Sequence, residues 1–217
     1  MTGFIVSGTD TEIGKTVFAA GLAGLLGAHY WKPVQAGLED GEGDKERAAR
    51  LGGLPPSRIH PEVYRLSEPC SPHQAAMIDG VTIEEQQLTL PKADGLLIVE
   101  GAGGVLVPLR EDLLFADLFA QWALPVILVA RTGLGTINHS LMSIEAVRAR
   151  GASVFGMAFI GDENAESERV ICAIGKVKHL GRLPLCESLN HDSLSAAMKA
   201  NFSITDFAGH DLSQAGI

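Results

Sequence analysis

The segment 8–16, with the sequence GTDTEIGKT, constrains the fold of this chain more than any other stretch. It follows a short apolar run at 4–6 and precedes an apolar segment, 17–28, whose composition is typical of a helix. A strand, a glycine-containing loop, Lys-Thr and a helix, in that order, are the parts of a phosphate-binding loop. Successive backbone N–H groups at the helix N-terminus then surround phosphate oxygens. We expect Lys15 to reach the β- and γ-phosphates of a nucleotide, and the Thr16 hydroxyl to ligate Mg²⁺.

The loop departs from the usual spacing, because five residues rather than four separate Gly8 from Gly14. Thr9 consequently stands where the usual motif has its first glycine. A polar turn that caps a helix is the alternative interpretation of a Gly-Lys-Thr sequence. The position of the loop between an apolar strand and a helix favours the nucleotide-binding interpretation.

Apolar runs alternate with helical patterns along the rest of the chain. Residues 96–99, 126–129 and 155–160 are continuous apolar runs of the kind that forms central strands of a parallel sheet. Residues 137–150 have the pattern of an amphipathic helix, and residues 178–184 add a last strand. The sequence therefore predicts an α/β fold of the P-loop NTPase type, in which a doubly wound, mostly parallel sheet is flanked by helices. We expect a single domain over residues 1–217.

The segments between these elements are less regular. Pro33 lies near the end of a short predicted strand, 30–34, and suits a strand end or a sheet edge because it lacks a backbone donor. Asp44 is the expected N-cap of a helix over residues 45–51. Residues 82–90 are polar and compatible with a further helix.

The composition restricts the class of partner. The formal net charge is -9 and the sequence has no run of lysines and arginines, which argues against nucleic acid as a ligand. An anionic nucleotide remains compatible, because the local field of the loop outweighs the net charge. Cys70, Cys172 and Cys186 form no Cys-x-x-Cys pair, which indicates free thiols in a reducing compartment. The apolar segment 17–28 follows acidic residues and is too short to span a bilayer, so we expect a cytoplasmic protein without a membrane partner.

Ligands of open parallel sheets bind beyond the carboxyl ends of the strands, where several polar residues of this chain are expected. Glu100 directly follows an apolar run, where a carboxylate can lie near Mg²⁺, and the glycines at 101, 103 and 104 leave space for a close approach. The alternative for Glu100 is a solvated acid at a strand end, and we favour the metal site. Considered alone, Lys32 fits a solvated surface lysine and Asp44 a helix cap. Residues 133–138 fit a plain turn, although N–H groups before a helix could also hold a carboxylate.

A set of motifs that spans most of the chain resembles the dethiobiotin synthetases of the biotin pathway. The motifs occur in the family's order and are together highly specific: residues 8–16 (GTDTEIGKT), 32–34 (KPV), 71–73 (SPH), 100–104 (EGAGG), 124–129 (LPVILV) and 135–139 (GTINH). The Thr-Asp-Thr-Glu form of the loop is typical of that family and accounts for the extra residue.

The resemblance implies an ATP- and Mg²⁺-dependent ring closure, in which 7,8-diaminopelargonate and CO₂ become dethiobiotin with release of ADP and phosphate. One amine captures CO₂ as a carbamate, ATP phosphorylates the carbamate, and the second amine attacks the resulting mixed anhydride. The substrate supplies both nucleophiles, so the protein would contribute positioning and charge stabilisation. The resemblance also implies a homodimer, in which residues 135–138 of one subunit reach the substrate carboxylate of the other.

The resemblance also implies a role for each matching residue. Lys15 and Lys32 are the expected catalytic residues, because they would neutralise charge on the transferred phosphoryl group and the carbamate. Mg²⁺ would be held by Thr16, Asp44 and Glu100, with Asp40 as the competitor of Asp44. The expected nucleotide contacts are Glu12, Ile13, Gly14, Lys15, Thr16, Val17, Asp44, Glu100, Gly101, Ala102, Gly103, Gly161, Asp162, Pro184, Leu185 and Cys186. The expected substrate contacts are Thr11, Lys32, Ala36, Gly135, Thr136, Ile137 and Asn138. We expect Lys15→Ala and Lys32→Ala to keep the fold and lose most turnover, since both side chains would be exposed to the site.

The chain departs from the family pattern at two places in the expected site. Ala36 stands where many members have a serine, and it lacks the hydroxyl that would contact the substrate. Gly161, followed by Asp162, stands where many members have an asparagine. An asparagine amide can pair with adenine, whereas glycine offers only its backbone. Base selectivity therefore stays open, with Pro184 and Leu185 as alternative contacts.

Two other classes of protein are the alternatives. The partition and division-site ATPases are nucleotide switches of this fold, but they carry a second lysine at the start of the loop, where this chain has Gly-Thr-Asp. The amidoligases of corrinoid synthesis usually need a glutaminase domain with a nucleophilic cysteine, for which this chain has no room. We expect a synthetase to respond to a diamine and bicarbonate, and a switch to respond to lipid, DNA or a partner.

Overall fold

The apolar runs of the sequence form the centre of one parallel sheet. The computed structural model describes residues 2–38 and 41–207. In chain order its strands are β1 (Gly3–Gly8), β2 (His29–Trp31), β3 (Val34–Ala36), β4 (Ile59–His60), β5 (Tyr64–Leu66), β6 (Leu97–Gly104), β7 (Pro108–Arg110), β8 (Leu113–Leu114), β9 (Val126–Arg131), β10 (Val154–Ile160) and β11 (Lys178–Leu183). Seven of them form the main sheet in the order β11-β10-β9-β1-β6-β2-β4, and all neighbouring strands in it are parallel.

Helices connect these strands and cover both faces of the main sheet. In chain order they are α1 (Lys15–Leu26), α2 (Asp44–Gly52), α3 (Pro72–Ile78), α4 (Phe115–Trp122), α5 (Thr136–Ala149), α6 (Ala165–Gly175) and α7 (His191–Asn201), with short 3₁₀ turns at Pro56–Arg58, Glu85–Gln87 and Ile204–Asp206. The buried residues of α1, α2 and α7 belong to one core cluster, and those of α3, α4, α5 and α6 belong to another. In the part of the chain that the structure describes, no helix is long and apolar enough to cross a membrane. The prediction of a doubly wound α/β fold with a mostly parallel sheet is confirmed.

Side chains along the central strands point alternately to the two faces of the sheet, which explains why two cores form. Phe4 and Val6 in β1 pack into the cluster with α1, whereas Ile5 between them packs into the cluster with α4. Successive side chains of a strand point to opposite faces, so an unbroken apolar run supplies both cores. The carboxyl end of β1 then leads directly into the loop before α1.

The predicted strand over residues 30–34 is divided in two. β2 ends at Trp31 and β3 begins at Val34, because Pro33 lies between them and has no backbone N–H to donate. β2 lies inside the main sheet, between β6 and β4, whereas β3 pairs with β5 in a separate two-stranded sheet. The strand end near Pro33 is confirmed, and it leaves Lys32 just beyond the carboxyl end of β2.

Asp44 is not the N-cap of the second helix, contrary to the prediction. α2 begins at Asp44 itself, and its N-cap is Gly43, whose backbone is extended at φ -98° and ψ 175°. The Gly43 N–H donates to the Glu46 carboxylate at 2.8 Å. Because Glu46 supplies this capping bond, the Asp44 carboxylate is not needed at the helix start and contacts Lys32 instead.

The predicted helix over residues 82–90 does not form, and a short 3₁₀ turn, Glu85–Gln87, takes its place. Leu88 is 1% exposed and anchors this segment in the core. Its carbonyl accepts a hydrogen bond from the Trp122 indole at 2.7 Å. A tertiary partner thus fixes the backbone of this segment in a non-helical conformation, which a local sequence pattern does not reveal.

Candidate active site at the phosphate-binding loop

The loop that the sequence predicts joins β1 to α1. Glu12 and Gly14 both have positive φ, of 54° and 88°, so the chain turns tightly before Lys15. A Cβ atom at Gly14 would lie 2.8 Å from the Cδ1 atom of Ile160, which together with the positive φ favours glycine. Gly14 is also the N-cap of α1 and has no side chain with which to cap it. The first N–H groups of α1 can therefore bind an anion at the helix N-terminus.

Buried and partly buried side chains of opposite charge meet beside this loop. The Lys32 ammonium donates to the Glu100 carboxylate at 3.0 Å and also donates to the Asp44 carboxylate. The Thr16 hydroxyl donates to Glu100 at 2.7 Å, and the Tyr30 hydroxyl donates to the other Glu100 oxygen at 2.8 Å. Glu100 is 0% exposed, so it is not the solvated acid of the alternative interpretation. The structure thus brings together side chains from the middle of β6, the end of β2 and the starts of α1 and α2.

Burial and charge act in opposite directions on the pKa values of this cluster. Burial would lower the pKa of Lys32, but Glu100 and Asp44 outweigh it and raise that pKa above its ordinary value. Burial would raise the pKa of Asp44, but the charge and hydrogen bond of Lys32, with help from Thr16, lower it. The pKa of Lys15 is lowered, first by burial and then by the neighbouring charge of Lys32. Lys32 and Asp44 therefore stabilise each other in their charged forms.

Lys15 and Lys32 are both buried, although the sequence predicts side chains that are exposed to the site. Lys15 is 7% exposed and Lys32 is 4% exposed. A buried ammonium is costly unless opposite charges surround it, and Lys32 has Asp44 and Glu100 as partners. Removing the Lys32 charge must therefore affect the fold as well as any chemistry. The expectation that Lys32→Ala simply keeps the fold is revised on this ground.

Tyr30 belongs to the site, although the sequence analysis did not select it. Burial raises the pKa of Tyr30 well above its ordinary value, and the charge of Glu100 adds to the effect. The hydroxyl consequently stays protonated and can donate to Glu100. One signal was available in the sequence, because Tyr30 and Lys32 are two residues apart and neighbours at that spacing share a face in an extended chain.

The cluster supplies the donor types of a magnesium site. Thr16, Asp44 and Glu100 offer hydroxyl and carboxylate oxygens, the ligands that Mg²⁺ prefers, and the Lys32 ammonium lies between the two carboxylates. A position that already stabilises one positive charge fits a cation. Among the described residues, no group of three or more His, Cys, Asp and Glu side chains could hold a metal ion, so a metal here needs the threonine hydroxyl and phosphate or water oxygens. Asp40, the competitor of Asp44, lies outside the described residues.

The residues after Glu100 run along the phosphate-binding loop. Gly104 pairs with Gly8 in the register of β6 and β1. Gly103 has a positive φ of 61°, and a Cβ atom there would lie 3.6 Å from the Thr11 hydroxyl oxygen. The structure therefore places Gly103 and Gly104 beside the loop.

The start of α5 has hydrogen-bonding capacity that the described part of the chain does not use. Gly135 is the N-cap, with φ 91°, and has no side chain to cap the helix. Among the described residues, the buried hydroxyls of Thr136 and Ser140 have no hydrogen-bond partner. Ile137 and Asn138 are exposed beside them. An anion or a second subunit could supply the missing partners at this helix start.

The two departures from the family pattern have different structural consequences. Gly161 follows β10 with φ 128°, and a Cβ atom there would lie 2.5 Å from the Thr132 hydroxyl oxygen. Glycine is therefore required at this position in this chain, whatever binds nearby. The Gly161 N–H donates to the Leu183 carbonyl at 3.1 Å, which joins the ends of β10 and β11.

The second departure, Ala36, ends β3 and packs against the core. The other expected base contacts follow the same two strands: Asp162, Pro184, Leu185 and Cys186.

A phosphate-binding loop at the carboxyl edge of a doubly wound parallel sheet, with a buried lysine–carboxylate cluster beside it, defines a P-loop nucleotide-binding protein. A family model described as an AAA domain matches residues 2–193. The fold is similar to that of the MinC:MinD cell division protein complex of Aquifex aeolicus, with a TM-score of 0.51 and 11% identity, over 91% of this chain and 86% of that chain. At that identity the likeness concerns the fold alone.

Relatives of much higher identity identify the family. The protein of Rhodopseudomonas palustris strain BisB18 is 59% identical over 203 residues, which cover 94% of this chain and 97% of that protein. The protein of strain HaA2 is 61% identical, over 94% of this chain and 95% of its own. The protein of Novosphingobium aromaticivorans is 56% identical, over 96% of this chain and 100% of its own. All three are named ATP-dependent dethiobiotin synthetase BioD. The chain belongs to the dethiobiotin synthetase family, and the resemblance noted in its motifs is confirmed.

Proposed function

We propose that this chain is a C–N-bond-forming ligase of biotin biosynthesis, which closes the ring of 7,8-diaminopelargonate with CO₂ to give dethiobiotin, ADP and phosphate. The relatives' name, ATP-dependent dethiobiotin synthetase, supports this reaction and its nucleotide. One observation of the structure carries the proposal, namely the contact of Lys32 with Asp44 and Glu100 beside the uncapped start of α1. That arrangement offers N–H donors and fixed cations for a phosphoryl group. The proposed reaction needs no nucleophile from the protein, because the substrate supplies both amines.

The chemistry needs charge stabilisation at two points. When one amine of the substrate has taken up CO₂, the carbamate carries a negative charge that Lys32 can neutralise. Because the pKa of Lys32 is raised, its ammonium acts as a fixed cation and not as a proton donor. Lys15, at the first position of α1, is placed to neutralise charge on the transferred phosphoryl group. The second amine then attacks the carbonyl carbon of the mixed anhydride, and phosphate leaves.

We also propose that Thr16, Asp44 and Glu100 hold Mg²⁺. The ion would neutralise phosphate charge when it is bound. The residues themselves orient the site, because the Thr16 hydroxyl and the Lys32 ammonium both donate to the same oxygen of Glu100. This shared acceptor fixes the position of the carboxylate between the loop and β2.

The remaining assignments are part of the same proposal. The nucleotide would extend from the loop, residues 12–17, along residues 100–103 to the base contacts after β10 and β11. Thr11, Lys32 and Ala36 would contact the diamine, and residues 135–138 of a second subunit would bind its carboxylate in a homodimer. The uncapped Gly135 and the unpaired hydroxyl of Thr136 support that last contact. We further propose a single domain and a cytoplasmic location, the latter supported by the three free cysteines, Cys70, Cys172 and Cys186.

The first experiment measures phosphate release from ATP with Mg²⁺, in the presence and absence of 7,8-diaminopelargonate and bicarbonate. We expect release that depends on the diamine, with dethiobiotin formed in equal amount and identified by its mass. Hydrolysis that is indifferent to the diamine would contradict the proposed reaction. It would instead favour the nucleotide-switch interpretation.

The shared site has its own test. A Lys15→Ala variant and a Thr136→Val variant would each damage a different part of the site, contributed by different subunits. After unfolding and refolding an equal mixture, half of the dimers contain both variants and each has one intact site, so activity should return to about a quarter of the original. Mixtures as inactive as the separate variants would contradict a site shared between subunits.

A further inference from the structure

Gln35 is a buried polar side chain for which the proposed reaction has no role. It lies in β3 and is 6% exposed. Its amide nitrogen donates to the Gly37 carbonyl at 2.7 Å, and its amide oxygen accepts from the Asp44 N–H at 3.0 Å. One side chain thus bridges the end of β3 and the start of α2. A buried amide whose two ends are both satisfied by backbone groups holds those groups at a set separation.

The start of α2 depends on this bridge. Asp44 is the first residue of the helix, so its N–H has no partner within the helix. The N-cap is Gly43, which has no side chain, and the Glu46 carboxylate binds the Gly43 N–H and not that of Asp44. The amide oxygen of Gln35 therefore satisfies one of the free N–H groups of the first turn, whereas an N-cap side chain in other helices satisfies that of the second or third residue.

The other end of the bridge is anchored firmly. Gly37 has a positive φ of 73°, and its N–H donates at 3.0 Å to the carbonyl of Leu66, the last residue of β5. A Cβ atom at Gly37 would lie 2.5 Å from the Cα atom of Pro69, so the backbones of these residues are in close contact. Because Gly37 cannot move toward Pro69, Gln35 transmits a fixed position to the Asp44 backbone.

We infer that Gln35 is a positioning residue that sets the affinity of the site for its divalent cation by holding Asp44 against Lys32 and Glu100. The inference rests on the part of the proposed function that makes Asp44 a ligand of Mg²⁺. Groups that orient a metal ligand typically change metal affinity by 10–100-fold when they are removed. Gln35 binds the backbone N–H of Asp44 and is not itself one of the expected substrate contacts, so its effect should appear in metal affinity and not in the rate at saturating metal.

The test replaces Gln35 with methionine, which has a similar length and no hydrogen-bonding amide. Mn²⁺ is titrated into the protein with ADP and followed by electron paramagnetic resonance, a measurement that requires no turnover. We expect Gln35→Met to weaken Mn²⁺ binding about 10-fold. Asn190→Ala is the matched control, because it removes the side chain that caps α7 at Ser193, and its hydrogen bonds to Ser188 and Ser193 involve none of the proposed metal ligands. This control should lose stability and leave Mn²⁺ binding unchanged.

A double-mutant cycle tests whether Gln35 acts through Asp44. In an Asp44→Ala background, Gln35→Met should weaken Mn²⁺ binding by less than about 2-fold further, because no ligand oxygen is left at position 44 for Gln35 to position. An equal effect of Gln35→Met in both backgrounds would overturn the inference, as would unchanged Mn²⁺ affinity in the single variant. Loss of turnover at saturating metal with unchanged metal affinity would overturn it too.

A measurement on the unmodified protein covers the case in which Gln35→Met does not fold. The N–H of a first helical residue ordinarily exchanges freely, whereas a hydrogen bond to Gln35 should slow the exchange of the Asp44 amide at least about ten-fold, as read by NMR. Free exchange at Asp44 would overturn the inference. Failure to form dethiobiotin would contradict the proposed reaction but leave the Mn²⁺ and exchange results standing, so the two failures are distinguishable.

Discussion

Replacing Lys32 with methionine tests how the buried cluster is held together. The substitution keeps an unbranched side chain of similar length and removes the ammonium that contacts both Asp44 and Glu100. Glu100 is 0% exposed, so water cannot take over the role of the ammonium without a rearrangement. Thr16 and Tyr30 would still donate to Glu100, but these neutral hydroxyls do not cancel its charge.

The size of the effect follows from the geometry. For the Lys32–Glu100 pair at 3.0 Å, an effective dielectric constant of about 20 corresponds to an attraction of about 5.5 kcal/mol. Desolvation of the charges offsets part of this attraction, and removing one partner of a buried pair typically costs about 3–5 kcal/mol. We expect Lys32→Met to lower the free energy of unfolding by that amount. For a chain of about 200 residues the loss corresponds to a decrease in melting temperature of about 6–20 °C.

Urea unfolding at neutral pH, with and without Mg²⁺, measures this loss. Mg²⁺ should recover part of it, because a cation between the two carboxylates replaces the missing ammonium. The matched control is Lys178→Met, which removes the same charge from an exposed pair with Asp206, and it should cost less than about 1 kcal/mol. Phosphate release in the presence of the diamine should be largely lost in Lys32→Met and retained in Lys178→Met.

A loss of stability no larger in Lys32→Met than in Lys178→Met would refute the reasoning. That result would mean that Lys32 is solvated in solution, as its sequence position alone suggests. A large loss of stability in Lys32→Met that Mg²⁺ does not reduce would still support the buried ion pairs. It would contradict the idea that a divalent cation binds between the same two carboxylates.

Three further perturbations address other parts of the site. The folded-state pKa of Asp44 is lowered from its ordinary 3.8, so its stabilising contribution is present above that pH and is lost as pH falls through the folded value. The difference in unfolding free energy between the wild type and Asp44→Asn should therefore be constant above about pH 5 and shrink below about pH 4. Urea titrations at each pH measure this difference, and a constant value down to about pH 2 would contradict the lowered pKa of Asp44. Tyr30→Phe removes a hydrogen bond of 2.8 Å to the buried Glu100 carboxylate and should lower the free energy of unfolding in urea by about 1.5–3 kcal/mol. An unchanged free energy of unfolding would mean that Glu100 is solvated. Gly161→Ala should cost about 1–3 kcal/mol because of the positive φ and the 2.5 Å approach to Thr132, and unchanged stability would show that this backbone relaxes easily.

The sequence predicts the regular part of the fold well, because that part follows from local patterns. The apolar runs at 126–129 and 155–160 lie in β9 and β10, the run at 96–99 lies in β6 except for its first residue, and the helical pattern at 137–150 is α5 within one residue at each end. The predicted helix over 82–90 is wrong, because Leu88 and its neighbours are held by tertiary contacts and not by helical hydrogen bonds. Short strands such as β4 and β5 carry too few residues for a periodic signal.

Some residues of the candidate site can likewise be predicted from local sequence, and others cannot. Lys15 and Thr16 could be assigned from the loop motif, since strand, loop and helix place them by sequence proximity alone. The prediction that Asp44 is the N-cap of a helix is wrong, because the capping bond comes from Glu46 and the hydrogen bond to the Asp44 N–H comes from Gln35. Neither partner is recognisable from local sequence. The family motifs supplied the grouping of Lys32 with Glu100, which are 68 residues apart.

Local amino-acid order is enough to predict the phosphate-binding loop, the alternation of strands and helices and the family, because each of these depends on residues that are near one another in the chain. Which charged groups are buried and paired depends instead on how distant elements pack together. Lys32 at a strand end could have been solvated, but the neighbouring β6 and the start of α2 bring Glu100 and Asp44 to it and exclude water. A lysine that is nearly fully buried keeps its proton only because two carboxylates stabilise it there. That compensation depends on distances between elements remote in sequence, which no local pattern contains.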